Sequence, residues 1–489
     1  MFLCEWSKHG TLIFMNTVYT KKKTKIVATI GPATESQAML TKLVEAGLNV
    51  ARLNMSHGDH VEHGARIKNI RAVAKKLGTP LAILQDLSGP KIRIGEFDTP
   101  KVTLVPGETI TLTTKECVGT KERVFINYKT LPQELQKGSI VMLDDGKKKL
   151  EVVKTTETDV VCKILVGGET KGRRGVNLPG AYLKISSITE KDKKDLVFGV
   201  ANNVDFVALS FVRRPEDIDE LRALLKKHKS DAQIIAKIET QEAVDNLEEI
   251  IKRTDGVMVA RGDLAIEIGP EQVPVVQKRM IRICNMLGKP VITATQMLES
   301  MIQAPVPTRA EVSDIANAIL DGSDAVMLSE ETTLGLYPVE AVSVMTAVAQ
   351  QVEQEFPQRK RREGMFDGSE QVVDTVTSSV THAVVTVDAK AIVALTESGF
   401  TARMIARHRP SQMVYVLTPH IRTFNKLALS FGCVPVLSKP FKDFTKGLVE
   451  IQKFVTAEKI AKKGDKVVVS LGLPFGVVGS TNTMIILTV

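Results

Sequence analysis

The sequence predicts an α/β protein: a (β/α)8 TIM barrel with an inserted all-β lid domain and a C-terminal α/β domain. Three observations carry that expectation. Eight short runs rich in Val, Ile, Ala and Leu alternate with longer stretches of helical period. One long interval with strand-like alternation and Gly, Pro and Thr punctuation breaks the rhythm. After a polar, basic stretch, a second and shorter strand–helix alternation begins.

Taken in order, the strand candidates are Lys25–Gly31, Val50–Ser56, Leu81–Leu87, Phe206–Val212, Gln233–Glu239, Gly256–Leu264, Pro290–Thr295 and Ala325–Ser329. Most are apolar on both faces, as in a parallel sheet covered on each side. Between Gly89 and about Lys184 the candidates are short alternating strands such as Lys101–Leu104, Glu108–Thr113 and Leu150–Thr155. An insert at that point lies over the catalytic face of a barrel, where a mobile lid excludes water. Beyond the polar stretch Gln354–Glu370, helices alternate with Ala391–Thr396, Met413–Thr418, Val434–Leu437 and Lys466–Leu471 before a final strand. The resulting division is an extension at 1–20, a barrel at 21–89 and 185–354, a β-barrel lid at 90–184 and an α/β regulatory domain at 371–489. No internal repeat is found.

Bulk properties narrow the function. The 489 residues exceed one hydrophobic core, and 43% hydrophobic with 25% charged residues is ordinary for a globular protein. The net charge of +9 suits polyanions, but 4% aromatic residues are thin for stacking nucleic-acid bases. The basic runs Lys21–Lys23, Lys147–Lys149 and Arg359–Arg362 read as solvated loops, leaving phosphorylated small molecules as the partners and nucleic acid excluded. No apolar run reaches the roughly 18 residues of a membrane span, and the first 20 residues lack a secretory signal. Five scattered cysteines without metal-ligand spacing read as reduced thiols in a cytoplasmic protein.

Catalysis in such a barrel sits at the C-terminal strand ends. There the sequence places Arg52, Asn54, Ser56 and His57 after strand two, and Asp86, Leu87, Lys91 and Arg93 after strand three. Lys237 and Glu239 end strand five, Gly262 and Asp263 strand six, Thr295 strand seven and Ser329 strand eight. Lys237 and Glu239 alternate and share a face. Glu239 and Asp263, read as lying on adjacent strands, can share one hard divalent cation, most naturally Mg²⁺. An ammonium beside such a cation serves a developing enolate or phosphoryl charge; the competing reading is a structural ion pair. Arg52 suits a phosphate or carboxylate clamp, and Arg93, past the lid hinge, a second phosphate contact. His57 is read either as a site residue or as a cap of the following helix.

Several segments resemble the pyruvate kinase family, in the family's order: KIVATIGP (Lys25–Pro32), RLNMSHG (Arg52–Gly58), GVNLPG (Gly175–Gly180), AKIE (Ala236–Glu239), MVARGDL (Met258–Leu264), ATQMLESM (Ala294–Met301), PTRAEVSDIA (Pro307–Ala316) and VMLSEET (Val326–Thr332). The resemblance runs from about Lys22 to the C-terminal end. It implies transfer of phosphate from phosphoenolpyruvate to ADP, giving pyruvate and ATP. Arg52 then matches the substrate-phosphate arginine, Lys237 the catalytic lysine, and Glu239 and Asp263 the Mg²⁺ ligands, with Mn²⁺ as a substitute. The Gly262 backbone and Thr295 match the substrate carboxylate site. Thr295 and Ser329 match the polar network that delivers a proton to the enolate carbon. Asn54, His57, Arg93 and Arg174 fall on the nucleotide side. The family implies a cytoplasmic homotetramer with a small phosphorylated allosteric effector in its last domain.

Two departures stand out from the family pattern: the segment after strand three, and Glu330, where many members carry a glycine after the strand-eight serine but where Glu also occurs, so that little weight attaches to it. The segment after strand three reads Gly89-Pro90-Lys91-Ile92-Arg93, where the family commonly carries a glutamate that helps hold K⁺. Asn54, Ser56 and Asp86 are retained at that site, and Leu87 replaces a common threonine. An ammonium is a fixed monovalent cation and repels a K⁺ in the same pocket. Lys91, held by Asp86, is therefore expected to fill the site, and K⁺ is expected not to be required. In the last domain, Thr396, Ser398 and Thr401 resemble the effector turn, but Glu397 weakens the case for fructose 1,6-bisphosphate. A nucleotide monophosphate, another sugar phosphate or no effector stand equal. Two rivals remain. Enolate-forming lyases and aldolases share the barrel but lack the insert and need no ADP. A scaffold relic would lack a ligand or the lysine, and Lys237, Glu239 and Asp263 are all present.

Overall fold

Eight parallel strands close into a barrel in chain order, in a computed structural model that describes residues 22–355, 371–477 and 479–489. The strands are Lys25–Thr29, Val50–Asn54, Ala82–Asp86, Phe206–Val212, Gln233–Ile238, Gly256–Ala260, Val291–Ala294 and Ala325–Leu328. Both faces are apolar for distinct reasons. Val27, Val50, Leu84, Phe206, Ile235 and Ile292 fill the barrel interior, while neighbours such as Ile26, Leu53 and Ile83 pack outward against the helices. The extension at 1–20 and nearly all of the polar stretch after Gln354 lie outside the described residues. Among the described residues no helix is long and apolar enough to cross a membrane, and Cys117, Cys162, Cys284 and Cys433 are free thiols.

The sixth strand differs from its sequence reading. It ends at Ala260, and Arg261–Ile268 forms a helix, so Asp263 sits in a first helical turn and not on a strand. Leu264 and Ile268 bury one face at a spacing of four, which is helical period and not strand alternation. Asp59 caps the helix His60–Leu77 by accepting from the Val61 and Glu62 amides. The capping reading of His57 therefore fails.

The insert forms a six-stranded sheet and a two-stranded sheet around its own core of Ile110, Leu112, Val124, Val141, Leu150 and Val160. Isolated bridges from Arg93 to Gly175 and from Ile94 to Ile126 tie its two edge strands together. The hinge from barrel strand three is Gly89, with φ +66°. A Cβ there would lie 2.9 Å from the Phe211 ring and 3.0 Å from the Ser210 Cβ, so only glycine fits.

The C-terminal domain is a five-stranded sheet in which the first four strands are parallel and the last antiparallel. It docks on the opposite end of the barrel from the insert, and Ala428 and Leu429 join the barrel's interior cluster from below. Two expectations of solvated basic loops are overturned here. Lys22 is 3% exposed and donates to Thr24 O and Asn49 Oδ1. In the insert, Lys148 is buried on a strand. The Asn49 side chain, which short-range patterning does not reveal, takes up the Lys22 ammonium; Lys25 likewise donates to Cys433 O at 2.8 Å.

Arg409 anchors the docking. It pairs with Asp324 at 2.9 Å, both groups being buried, and stacks 4.6 Å from the Phe431 ring. Asp324 also accepts from the Val291 and Phe431 amides at 3.1 Å. Arg409→Met leaves that carboxylate buried with amide donors alone, at an expected cost of about 3–5 kcal/mol. Hydrogen exchange should then show the Val291 and Phe431 amides losing protection while those of the barrel core retain theirs. Unchanged protection at both amides contradicts the anchoring role.

Candidate active site

At the C-terminal mouth of the barrel, beneath the insert, lies a cavity of about 690 Å³. Arg52, Asn54, Ser56, His57, Asp86 and Leu87 line it together with Lys91 and Arg93. So do Arg174, Lys237, Glu239, Asp263, Thr295 and Ser329. Segments far apart in sequence thus converge on one space, as the strand-end reading expected.

The centre of the site is a buried row of charges. Lys237 Nζ lies 3.2 Å from Asp86 Oδ1 and 3.0 Å from Glu239 Oε1, and donates to Ser210 Oγ at 2.7 Å. Both carboxylates are 1% exposed and the lysine side chain 12%. Burial works against the ammonium, but Asp86 and Glu239 outweigh it and hold the Lys237 pKa above its ordinary value. Arg52 donates through Nε to Asp86 Oδ2 at 2.7 Å and through Nη1 to Thr29 Oγ1 at 2.8 Å. Asp86 is therefore fully engaged. Burial alone would raise its pKa; Lys237 and Arg52 reverse that and lower it.

Lys91 differs from its expectation. Asp86 spends its two oxygens on Arg52 and Lys237, so it does not hold Lys91, which forms no ion pair among the described residues. Lys91 keeps an exposed flank in the cavity wall. Desolvation there, with repulsion from Arg93 and Lys237, lowers its pKa.

The pair Glu239 and Asp263 suits a hard cation. Burial pushes the Glu239 carboxyl upward; Lys237 opposes the shift and Asp263 adds to it. Burial likewise raises Asp263, against Lys237 and Lys91. Two desolvated carboxylates that destabilise one another form an oxygen donor set short of positive charge. Such a pair suits a hard divalent cation such as Mg²⁺. No cluster of three or more His, Cys, Asp or Glu with metal-binding geometry occurs among the described residues.

Backbone irregularities aim these groups. Strand four shifts register between Leu209 and Val212, and Phe211 adopts φ +54°. The bulge directs Ser210 Oγ toward Lys237 and the Phe211 amide onto Glu239 Oε2, at 2.7 Å. Strand seven ends in two left-handed residues, Thr295 at φ +73° and Gln296 at φ +54°. Arg261 stabilises that turn: it donates to Thr295 O at 2.7 Å and Ala294 O at 3.2 Å, and pairs with Asp314 at 2.7 Å. Thr295 Oγ1 accepts from Gly262 N at 3.0 Å, so the two groups matched to the substrate carboxylate already face each other. Ser329 N donates to the buried Glu331 at 2.7 Å.

On the lid side, Arg174 lies 3.3 Å from Asp144, and Arg93 is exposed at the cavity rim. His57 has its pKa lowered by burial, then by Lys91, Arg52 and Arg93. Ser210, Phe211, Arg261 and Glu267 escaped the sequence reading. Burial pushes Glu267 up to about 7. A lone serine in the apolar run FVALSFV was a usable signal; the Phe211 amide left none.

In the effector-like turn, Thr396 Oγ1 accepts from Gly399 N at 3.0 Å and Thr401 Oγ1 shares a hydrogen bond of 2.6 Å with Thr481 Oγ1. Glu397 is paired with His420 at 2.6 Å. The space beside Thr396, Ser398 and Thr401 is only about 40 Å³.

The family model described as pyruvate kinase, barrel domain, matches residues 21–342, and that described as pyruvate kinase, alpha/beta domain, matches 374–487. A pyruvate kinase of Bacillus licheniformis is 46% identical over 467 residues, covering 95% of this chain and 80% of that protein. One from Staphylococcus aureus (strain MRSA252) is 46% identical over 470 residues with the same coverage. The crystal structure of a pyruvate kinase from Cryptosporidium parvum matches with a TM-score of 0.89 and 36% identity over 96% of each chain. The chain belongs to the pyruvate kinase family.

Proposed function

We infer that the chain transfers the phosphoryl group of phosphoenolpyruvate to ADP, giving pyruvate and ATP, the last step of glycolysis. The observation that carries this reading is the buried Asp86–Lys237–Glu239 row at the barrel mouth, beneath the insert and beside Asp263. Such a row is costly to bury and serves charge that develops during reaction. A lactate-dehydrogenase-coupled assay with Mg²⁺, phosphoenolpyruvate and ADP tests it; no turnover with all three present contradicts it.

Each residue has a part. Arg52 clamps the substrate phosphate through its planar fork. Lys237 stabilises the transferring phosphoryl group and the enolate left behind. Glu239 and Asp263 would hold Mg²⁺, which would supply positive charge to the phosphoryl and enolate oxygens. The Gly262 amide and Thr295 receive the substrate carboxylate, displacing their mutual hydrogen bond. Thr295 and Ser329 belong to the network that brings a proton to the enolate carbon. Asn54, His57, Arg93 and Arg174 face the nucleotide phosphates, and the insert, residues 90–184, closes over them to exclude water. The barrel at 21–89 and 185–354 and the regulatory domain at 371–489 complete a cytoplasmic homotetramer. A small phosphorylated effector binds at Thr396, Ser398 and Thr401 after that turn opens.

The activity proceeds without K⁺. In support, Lys91 shares the cavity with Asn54, Ser56, Asp86 and Leu87, and its field reaches Asp86 and Asp263. Replacing K⁺ by tetramethylammonium should leave turnover unchanged, and a large drop contradicts the reading. A unit charge about 4 Å away is worth about 4 kcal/mol at an effective dielectric constant of about 20. Lys91→Glu should therefore make turnover depend on K⁺ by roughly tenfold or more.

A further inference from the structure

A buried carboxylate without a counter-ion stands behind the catalytic cavity. Glu331 follows strand eight in the short helix Glu330–Thr333 and is 2% exposed. It forms no ion pair among the described residues. Burial raises its pKa, backbone amides including those of Ser329 and Leu298 oppose the shift, and Glu299 adds to it. A buried charge with no cation beside it is costly to the fold.

What this carboxylate holds is specific. Its Oε2 accepts from the Ser329 amide at 2.7 Å and its Oε1 from the Leu298 amide at 3.2 Å. Ser329 ends strand eight with φ −116° and ψ −95°, outside both the helical and the extended conformation. Leu298 follows the turn in which Thr295 and Gln296 both take positive φ. One side chain therefore joins the two strand ends that carry Thr295 and Ser329. Each loop is also held from outside. Arg261 grips the strand-seven turn through the Ala294 and Thr295 carbonyls. The strand-eight loop is tied to strand one and the loop after it, where Thr332 Oγ1 donates to Thr29 O at 2.8 Å and Thr34 Oγ1 to Thr332 O at 2.7 Å. Glu331 sets the one loop against the other. Thr295 and Ser329 line the cavity, whereas Glu331 sits behind them.

We propose that Glu331 is a positioning residue for protonation of the enolate, fixing the spacing between the Thr295 turn and Ser329. The inference rests on the part given above to Thr295 and Ser329. In that step the enolate's electrons form a C–H bond at the methylene carbon while the carbon–oxygen double bond of pyruvate forms. The network gives up one proton, which solvent replaces. Glu331 touches no reacting atom. Proton transfer and near-attack geometry are steep in distance, and a misplacement of about 1 Å costs roughly a hundredfold. Phosphoryl transfer depends instead on Arg52, Lys237, Glu239 and Asp263, whose ion pairs and hydrogen bonds do not include Glu331.

Single-turnover kinetics with phosphoenolpyruvate, ADP and Mg²⁺ separate the two steps. ATP is counted in rapidly quenched samples, and ketone is followed continuously with excess lactate dehydrogenase, which needs a keto group. In the parent chain both should appear together. Glu331→Gln fills the same volume but brings one acceptor oxygen, so its NH₂ group meets one of the two amides. ATP should then form at close to the parent rate, with ketone lagging by roughly tenfold to a hundredfold and the lag lengthened in D₂O. Glu331→Asp keeps the charge but falls one methylene short; it should show a smaller lag, and it answers the question if the glutamine variant does not fold. Glu311 is the control, a carboxylate nearby that accepts from the Ser300 and Thr308 amides at 2.8 Å each. Glu311→Gln should loosen that helix cap without separating ATP from ketone. The proposal is overturned if ATP and ketone appear together in both Glu331 variants, or if Glu311→Gln shows the same lag. A parent chain that forms no ATP contradicts the proposed reaction as a whole, and this inference falls with it.

Discussion

Replacing Lys237 by methionine should reduce turnover of phosphoenolpyruvate with ADP by at least roughly a thousandfold, the upper range for removing one preorganised charge-stabilising donor. Methionine keeps the length and apolar stem of lysine but removes the ammonium that Asp86 and Glu239 hold between them at 3.2 and 3.0 Å. The fall should appear in kcat, because Lys237 meets charge that grows only as the phosphoryl group leaves. The variant also leaves two buried carboxylates without their shared cation, so its thermal midpoint should fall. Lys237→Arg separates the two effects. It restores the positive charge, and with it much of the stability, but its planar fork cannot reproduce a point charge bonded to Ser210, so turnover stays low. Turnover of Lys237→Met within tenfold of the parent chain contradicts the assigned role.

Glu239→Gln should raise the Mg²⁺ concentration needed for half-maximal activity by roughly a hundredfold. That is the upper end of what even outer-shell changes cost a metal site. Glutamine preserves shape and can still accept from the Phe211 amide, now at 2.7 Å. It removes the charge that, with Asp263, makes the oxygen pair attractive to a hard cation. Titration of activity against Mg²⁺ at saturating substrates gives the answer. An unchanged midpoint with lowered kcat would instead make Glu239 a partner of Lys237 alone.

Much of the scaffold was legible because its strands are buried on both faces, which leaves uninterrupted apolar runs. The same property exposed the site. A lysine and a glutamate two residues apart in AKIE, or an aspartate in QDLSG, have no place in such runs unless they are paired or ligating. The end of strand six was misread because MVARGDL continues the apolar pattern. Its period changes from two to about four at Arg261, and only Leu264 and Ile268 record the change.

What stayed hidden depends on distant partners. Arg261 matters through carbonyls of Ala294 and Thr295 and through Asp314, none of them near it in sequence. Lys22 read as part of a solvated run, yet it is buried and donates to the Asn49 side chain, and Lys25 on the adjoining strand reaches the carbonyl of Cys433, some four hundred residues along the chain. Lys91 shows the limit in the other direction. Its residue type pointed to a cation site, but the sequence could not tell that Arg52 and Lys237 already occupy Asp86.

The most direct test of the proposed reaction follows the phosphorus atom. Phosphoenolpyruvate labelled with phosphorus-32 is mixed with the purified chain, Mg²⁺ and ADP, and the products are separated. Label is expected in ATP, in equal amount to the pyruvate formed, with none transferred when ADP is left out. Pyruvate formed without ADP, or label released as inorganic phosphate, would contradict phosphoryl transfer as the function of this site.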